Sequence, residues 1–266
     1  DISNKFFATM IEAVENCLSA HGYHLIIANT KENAEREETN IRLLSAGLVD
    51  GLLIASTIED FSRFESLIPA GFPVVLVDRT FEAKRFPSVS VSNFQPIYRS
   101  VCRLAGKGDK RIGIIGGKPN LSRPSLARLA GCQGAMLRLG LPFDMEKQYA
   151  YARFSLSSGY EAMEYLLKHS PDITAVFAMS DLMALGAIRA LRDHGLCVPQ
   201  DISVTGFDGI ALGQYSVPRL TTIRQNMGQL AQRSARILLH NIQKPGNAVH
   251  EIVSFDLTEG ESVREL

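Results

Sequence analysis

Apolar positions along the chain alternate between helical and strand-like spacing from one end to the other. Residues 6–18 repeat apolar side chains every three or four positions, which predicts a helix, and Gly22 marks its end. Residues 23–28 form a short continuous apolar run of the kind that buried parallel strands need. The alternation continues with predicted helices near residues 32–46, 60–68, 97–105, 125–139, 158–168, 181–193 and 227–241, and with predicted strands at residues 51–55, 73–77, 111–115, 149–152, 174–178, 202–206 and 252–255.

This regular alternation predicts an α/β fold with parallel sheets covered by helices. A single sheet would need about ten strands, so two successive sheets are favoured. We therefore expect two doubly wound parallel-sheet lobes with a ligand cleft between them. Ligands of such sheets bind beyond the carboxyl ends of the strands.

The overall charge argues against a nucleic-acid-binding surface on this chain. Its 266 residues include 28 Lys and Arg and 28 Asp and Glu, so the formal net charge is zero. A domain that holds DNA or RNA by itself usually carries a basic excess. No apolar run approaches the roughly 18 residues of a membrane span, so no membrane partner is expected.

The cysteines bear on the cellular compartment. Cys17, Cys102, Cys132 and Cys197 show no metal-ligand spacing such as C-x-x-C. They are interpreted as reduced, mostly buried residues of a cytoplasmic protein. A disulfide in a periplasmic protein is the alternative.

Polar and aromatic residues follow the predicted strands in both halves of the chain. Carboxylates and arginines form charge-assisted hydrogen bonds to hydroxyl groups, and an aromatic face covers the apolar side of a sugar ring. The same residue types also cap helices in ordinary strand-to-helix turns. Their convergence from both halves nevertheless favours a binding site for a hydroxyl-rich small molecule. The residues are Ser56, Thr57, Asp78, Arg79, Phe154, Ser180, Asp181 and Asp208.

Patterns typical of enzymes and metal sites do not occur in the sequence. Gly116, Gly117 and Lys118 resemble the end of a phosphate-binding loop, but Pro119 replaces the required hydroxyl residue. Neither a G-x-S-x-G nor an H-E-x-x-H motif is present, and residues 35–38 are interpreted as a solvated acidic helix face. We predict no enzymatic activity, no catalytic residues, no metal and no cofactor.

Several segments, taken in their order along the chain, resemble those of one known protein family. The sequence DISVTGFD at residues 201–208 is followed by Tyr215, Pro218, the run LTTI at residues 220–223 and Gln225. This stretch resembles the C-terminal signature of the lactose/galactose-repressor (LacI/GalR) family of bacterial transcription regulators. Further matches, in the family's order, are residues 49–53, 73–79, 110–113, 128–131, 174–178 and 181–186.

The resemblance implies a periplasmic-binding-protein-like (type I) fold with two lobes joined by crossing hinge strands. Residues 1–92 and 226–245 would form the N-terminal lobe, and residues 93–225 and 246–266 the C-terminal lobe. The chain would be the effector-sensing, dimerising domain of a repressor-type regulator. A small-molecule effector, in particular a sugar, would modulate operator DNA binding by a helix-turn-helix headpiece that is absent from this chain. The alternative is a periplasmic sugar-binding protein of a transporter.

The resemblance also assigns effector contacts position by position. Arg128 and Asp208 would hold hydroxyl groups, and Phe154 would stack on the ligand. For Phe6 and Phe7 the alternative is a place in the buried stripe of the first helix, and Ser180 stands where relatives often carry Asn. The full set is Phe6, Phe7, Ser56, Asp78, Arg128, Phe154, Ser180, Asp208 and Gln225.

Overall fold

The computed structural model describes residues 5–118, 123–244, 246 and 248–264, with side chains from residue 7 onward. The helices are α1 (Lys5–Ser19), α2 (Ala34–Ser45), α3 (Phe61–Ser66), α4 (Gln95–Gly106), α5 (Arg123–Leu139), α6 (Met145–Gln148), α7 (Leu156–His169), α8 (Asp181–Asp193), α9 (Ala211–Gln214) and α10 (Met227–Gln243). The strands are β1 (Leu52–Ile54), β2 (Val74–Val77), β3 (Ser88–Val91), β4 (Ile112–Gly116), β5 (Tyr149–Tyr151), β6 (Ala175–Ala178), β7 (Ser203–Asp208), β8 (Thr221–Gln225), β9 (His250–Val253) and β10 (Phe255–Thr258).

The chain divides into two compact units, each built on its own sheet. The first unit comprises Asp1–Val91 and Asn226–Ser254, and its parallel sheet has the order β1-β2-β3-β9. The second comprises Ser92–Gln225 and Phe255–Leu266, with the order β10-β8-β7-β6-β4-β5. Only β10 of this second sheet runs antiparallel to its neighbour. The predicted α/β fold with two successive sheets is confirmed.

The C-terminal segment differs from its prediction. Residues 246–254 were expected in the second lobe, but β9 pairs in parallel with β3 and belongs to the first unit. The single strand predicted at residues 252–255 is two strands, because β10 starts at Phe255 and pairs with β8 of the second sheet. The chain therefore passes from one unit to the other at residue 254.

The strand predicted at residues 23–28 is wrong, because the structure has no strand there. This segment has no neighbouring strand: β1 is the edge strand of the first sheet and pairs only with β2. Backbone groups of an extended segment need a neighbour to form a ladder. As a result, Ile26 and Ile27 are 58% and 52% exposed.

Glycines let two helices of the second unit approach at backbone distance. A Cβ atom on Gly186 of α8 would lie 2.1 Å from the carbonyl oxygen of Leu156, and one on Gly159 of α7 would lie 2.4 Å from that of Met183. No side chain fits at either position. The pair fixes α8 against α7, and Asp181, the first residue of α8, contacts the turn that follows Asp208.

The cysteines are less buried than expected. All four are free, but only Cys132 is buried; Cys17 and Cys102 are half-buried and Cys197 is exposed. Burial raises the pKa of the Cys132 thiol well above its usual range, so this group stays protonated.

Candidate functional site

The parallel strands of the second unit carry the predicted site residues to one edge of the sheet. Phe154 follows β5, Ser180 follows β6, and Asp208 and Gln225 are the last residues of β7 and β8. Strands β8, β7, β6, β4 and β5 are successive neighbours, so their carboxyl ends form one continuous edge. This is the position at which open α/β sheets bind ligands.

Arg128 of α5 is the most tightly held of these residues. Its side chain is almost fully buried, and its Nε donates to Oδ1 of Asn93 at 2.8 Å while a terminal guanidinium nitrogen donates to the carbonyl oxygen of Met179 at 2.9 Å. The guanidinium carbon lies 4.1 Å from the centroid of the Phe207 ring, a cation–π contact. These contacts fix a positive charge beside β7, whose next residue after Phe207 is Asp208.

Asp208 and Gln225 form a pair on neighbouring strand ends. Nε2 of Gln225 donates to Oδ1 of Asp208 at 2.9 Å. Gln225 is 4% exposed, and its buried Oε1 accepts no hydrogen bond from the described residues. A buried acceptor left open in this way costs free energy unless a ligand or water supplies a donor.

Backbone strain coincides with three of the predicted ligand contacts. Asp78, Phe154 and Asp208 have φ angles of 63°, 56° and 119°, in the region that favours glycine. In the described chain, only two further non-glycine residues, Lys31 and Glu32, share this property. Such strain costs roughly 1–3 kcal/mol per residue and concentrates at ligand sites.

A glycine at the end of the neighbouring strand leaves space for the aromatic ring of Phe154. A Cβ atom on Gly117 would lie 2.9 Å from the Phe154 ring and 3.1 Å from Oγ of Ser125. Gly117 follows β4, and this second glycine of the stretch that resembled a phosphate loop makes room for Phe154.

The side chains of Ser180 and Asp181 are buried and form hydrogen bonds within the protein. Oγ of Ser180 caps α8 by accepting from the N–H of Met183 at 3.2 Å, which gives this hydroxyl a structural role. Asp181 is fully buried; its Oδ2 accepts from the N–H of Ile210 at 2.7 Å, and its Oδ1 accepts from the Thr222 hydroxyl. Burial raises its pKa to about 7 despite these hydrogen bonds. The carboxyl group ties α8 to the turn that follows Asp208.

A buried glutamate, which the sequence analysis did not identify, binds the residues that follow β1 in the first unit. Glu37 of α2 was placed on a solvated helix face, but it is 3% exposed. Its carboxylate accepts from the Ser56 hydroxyl at 2.5 Å, and from the N–H and the hydroxyl of Thr57 at 2.7 and 2.6 Å. The acidic run of α2 concealed this role, because the pattern alone does not show which acid turns inward.

The other predicted residues of the first unit have different surroundings. Asp78 follows β2 and is 9% exposed. Phe7 is half-buried and packs against the apolar cluster that contains Val77 and Val89, as the core alternative expected. Phe6 lies in α1, but its side chain is outside the described residues.

The described residues offer neither a metal-ligand cluster nor a membrane-spanning helix. No group of at least three His, Cys, Asp or Glu side chains in the described part could hold a metal ion. Among the described helices, none combines the length and the apolar character that crossing a bilayer requires.

Sequence comparison places the chain among transcription regulators. Residues 101–263 match the model of the periplasmic binding protein-like domain family. The chain is 31% identical to the HTH-type transcriptional regulator RegA of Clostridium saccharobutylicum, over 98% of this chain and 79% of the relative. It is 33% identical to the HTH-type transcriptional repressor CytR of Escherichia coli K12, over 91% of this chain and 71% of the relative.

Solved structures show the same similarity. A complex of the transcriptional regulator CelR with cellobiose has a TM-score of 0.88 at 31% identity, covering 97% of this chain and 79% of that one. A LacI family transcriptional regulator from Enterococcus faecium with bound ribose has a TM-score of 0.88 at 26% identity, covering 100% and 97% of the two chains.

Proposed function

The chain belongs to the LacI/GalR family of transcription regulators, of which it is an effector-binding domain, and we propose that it binds a neutral sugar or polyol at the strand-end residues of its second unit. Arg128, Phe154, Asp208 and Gln225 would contact this effector. Asp78 and Ser56 of the first unit, and Phe6 and Phe7 of α1, stay predicted contacts.

The observation that carries this proposal is the arrangement around Arg128. The buried guanidinium of Arg128 donates to Asn93 and to the Met179 carbonyl oxygen, and it lies against the Phe207 ring. Phe207 directly precedes Asp208, which is paired with Gln225. A fixed cation, an anion and an open amide oxygen together offer donors and acceptors to vicinal hydroxyls. Phe154 adds the aromatic face that suits the apolar side of a sugar ring.

The charges favour a neutral ligand. The carboxylate of Asp208 would repel a phosphate group bound at this strand edge. The relatives with bound cellobiose and ribose are consistent with a neutral sugar. The relatives named above are regulators, which favours this function over transport or catalysis.

The regulatory output would require a DNA-binding headpiece outside this chain. An effector changes operator binding only if it binds one conformation of the domain more tightly than another. By linkage, operator DNA would change effector affinity by the same factor. We propose that this coupling acts in the cytoplasm in a homodimer.

A thermal-shift screen tests the ligand class directly. We expect one or more monosaccharides or disaccharides to raise the melting temperature of the chain, because a ligand that binds only the folded state stabilises it. Nucleosides and sugar phosphates complete the panel. If only an anionic compound shifts the melting temperature, the proposed neutral ligand is wrong.

Replacing Asp208 by alanine is expected to weaken binding of the sugar found in that screen. Loss of a charge-assisted hydrogen-bond partner costs about 1–3 kcal/mol, or roughly 5- to 150-fold in Kd. Isothermal titration calorimetry measures the change. Asp172→Ala is the matched control, because Asp172 is an exposed carboxylate before β6, at the opposite end of the same sheet, and its removal should leave Kd unchanged.

Exposed apolar side chains after β7 support the proposed homodimer. Tyr215 and Val217 are each 86% exposed and Leu212 is 50% exposed. Such a group at one surface marks a protein–protein contact. We expect Tyr215→Asp with Val217→Asp to convert a dimer to a monomer in light scattering, whereas Leu137→Asp, at an equally exposed leucine of α5, should not. A dimer that survives the double substitution would place the contact elsewhere.

A further inference from the structure

A cavity of about 240 Å³ lies at the amino-terminal edge of the first sheet. It is lined by the turn before β2, by the segment before β3 and by residues from the end of α10 to the start of β9. Strands β2, β3 and β9 are parallel neighbours, so this edge is opposite the one at which Asp78 follows β2. All of the lining residues belong to the first unit. The cavity is therefore separate from the effector contacts predicted for that unit.

The cavity lining includes a buried amide whose acceptor is open. Asn241, near the end of α10, is 7% exposed and lines the cavity. Its Oδ1 is buried and accepts no hydrogen bond from the described residues. A buried acceptor without a donor costs free energy, and a side-chain amide offers both an acceptor and N–H donors. A molecule in the cavity that presents an N–H group to this oxygen would remove the cost.

Aromatic and proline residues with fixed surroundings form other parts of the wall. Phe72, Phe86 and Pro87 line the cavity. The ring of Phe86 packs against the ring of Phe64 at a centroid distance of 5.5 Å, and the carbonyl oxygen of Pro87 accepts from the N–H of Leu76 at 2.9 Å. These contacts hold the wall in place without a ligand. Aromatic side chains pack favourably against other flat rings, so the wall favours a planar ligand.

The charge and the size of the cavity narrow the ligand further. Among the described residues that line it, the charged ones are Glu65 and Arg85, which form an ion pair with each other. Because their charges compensate, a neutral ligand is favoured over an ion. Ordinary ligand pockets enclose roughly 300–1,000 Å³, so this smaller cavity suits a molecule of one or two rings.

We propose that this cavity binds a small, neutral, planar compound in which an N–H donor stands beside an acceptor, as in an aromatic amide or a nucleobase. The ligand N–H would donate to Oδ1 of Asn241, and the Asn241 amide would donate to the neighbouring acceptor. Asparagine recognises adenine by this bidentate pattern in protein–DNA complexes. The ring of the ligand would pack against Phe72 and Phe86. This site uses none of the residues that would hold the sugar.

Titration of benzamide into the isotope-labelled chain, followed by NMR, tests the site. We expect the backbone signals of Phe72, Phe86 and Asn241 to shift with a Kd on the order of 1 mM, which is the affinity that about nine non-hydrogen atoms support. N,N-dimethylbenzamide keeps the ring and the carbonyl group but has no N–H, so it should bind at least about tenfold more weakly. Equal affinity of the two compounds would overturn the proposal. So would shifts confined to Asp208 and Gln225, or no shift at about ten times the expected Kd.

Asn241→Leu removes the amide while keeping a side chain of similar size. We expect it to weaken benzamide binding at least about tenfold and to leave sugar binding unchanged. Gln232→Leu is the matched control, because Gln232 is an exposed amide on the same helix, and this variant should bind benzamide like the parent chain. Parent-like benzamide binding by Asn241→Leu would contradict the proposal. The comparison of the two benzamides uses the unaltered chain, so it decides the matter even if Asn241→Leu does not fold. A chain that binds benzamide but no sugar would reject the proposed function alone.

Discussion

Replacing Arg128 by alanine is expected to weaken effector binding by about 1–3 kcal/mol, or roughly 5- to 150-fold in Kd. The substitution removes the fixed cation and leaves Asn93 Oδ1 and the Met179 carbonyl oxygen without their donors. Isothermal titration calorimetry with the sugar identified by thermal shift measures the loss. The fold should persist, because the apolar cluster around β4, β6 and β7 keeps all of its own buried side chains.

Two further variants separate the charge of Arg128 from its geometry. Arg128→Lys keeps the charge but loses the planar fork that reaches Asn93 and Met179 together, so we expect part of the affinity loss to remain. Arg138→Ala is the matched control, because Arg138 is an exposed residue of the same helix that donates to the hydroxyl of Tyr98 and not to a predicted site residue. Unchanged affinity in both Arg128→Ala and Asp208→Ala would reject the site assignment.

The chain's apolar pattern was sufficient to predict most of the fold and the strand-end edge. Strands β4 and β6 are buried continuous apolar runs, and such runs are visible in any sequence with helical segments between them. Once parallel strands are predicted, the positions of their carboxyl ends are predicted with them. Asp208 and Phe154 were therefore found as site candidates without any coordinates.

Other features depend on tertiary contacts that the local pattern does not contain. Strand β8 was not predicted because its two threonines look polar, yet both are buried, and the Thr222 hydroxyl donates to Asp181. Glu37 is indistinguishable from its exposed neighbour Glu35 until Ser56 and Thr57 fold against it. The strain at Asp78, Phe154 and Asp208 likewise arises from surrounding structure that holds an unfavourable φ.

The strand prediction at residues 23–28 failed for a different reason. The apolar run is correct for a parallel strand, but a strand also requires a neighbour. The structure has no strand at residues 23–28, and β1 pairs only with β2. Propensity describes the segment alone, whereas pairing is a property of two segments.

Asp181 is expected to make the stability of the protein fall as pH rises from about 4 to 7. Its ordinary pKa is 3.8, and burial raises the pKa in the folded protein to about 7. Between these values the folded state keeps a proton that the unfolded chain has lost, so the free energy of unfolding decreases by up to about 1.4 kcal/mol per pH unit. Below pH 4 the carboxyl group is protonated in both states, and above pH 7 it is ionised in both, so its contribution levels off.

Urea denaturation followed by circular dichroism at pH 5, 6, 7 and 8 tests this expectation. Asp181→Asn removes the titrating group, so the variant should show a smaller decrease between pH 5 and 7 than the parent chain. Asp193→Asn on the same helix is the control, because Asp193 is an acid whose pKa is lowered by hydrogen bonding to Arg189, and the variant should keep the parent's decrease. An identical pH dependence in Asp181→Asn and the parent would assign the titration to another group. A smaller pH dependence of stability in Asp181→Asn would establish that the Asp181 carboxyl group changes its charge near neutral pH. This carboxyl group lies next to the turn after Asp208, which would bind the effector.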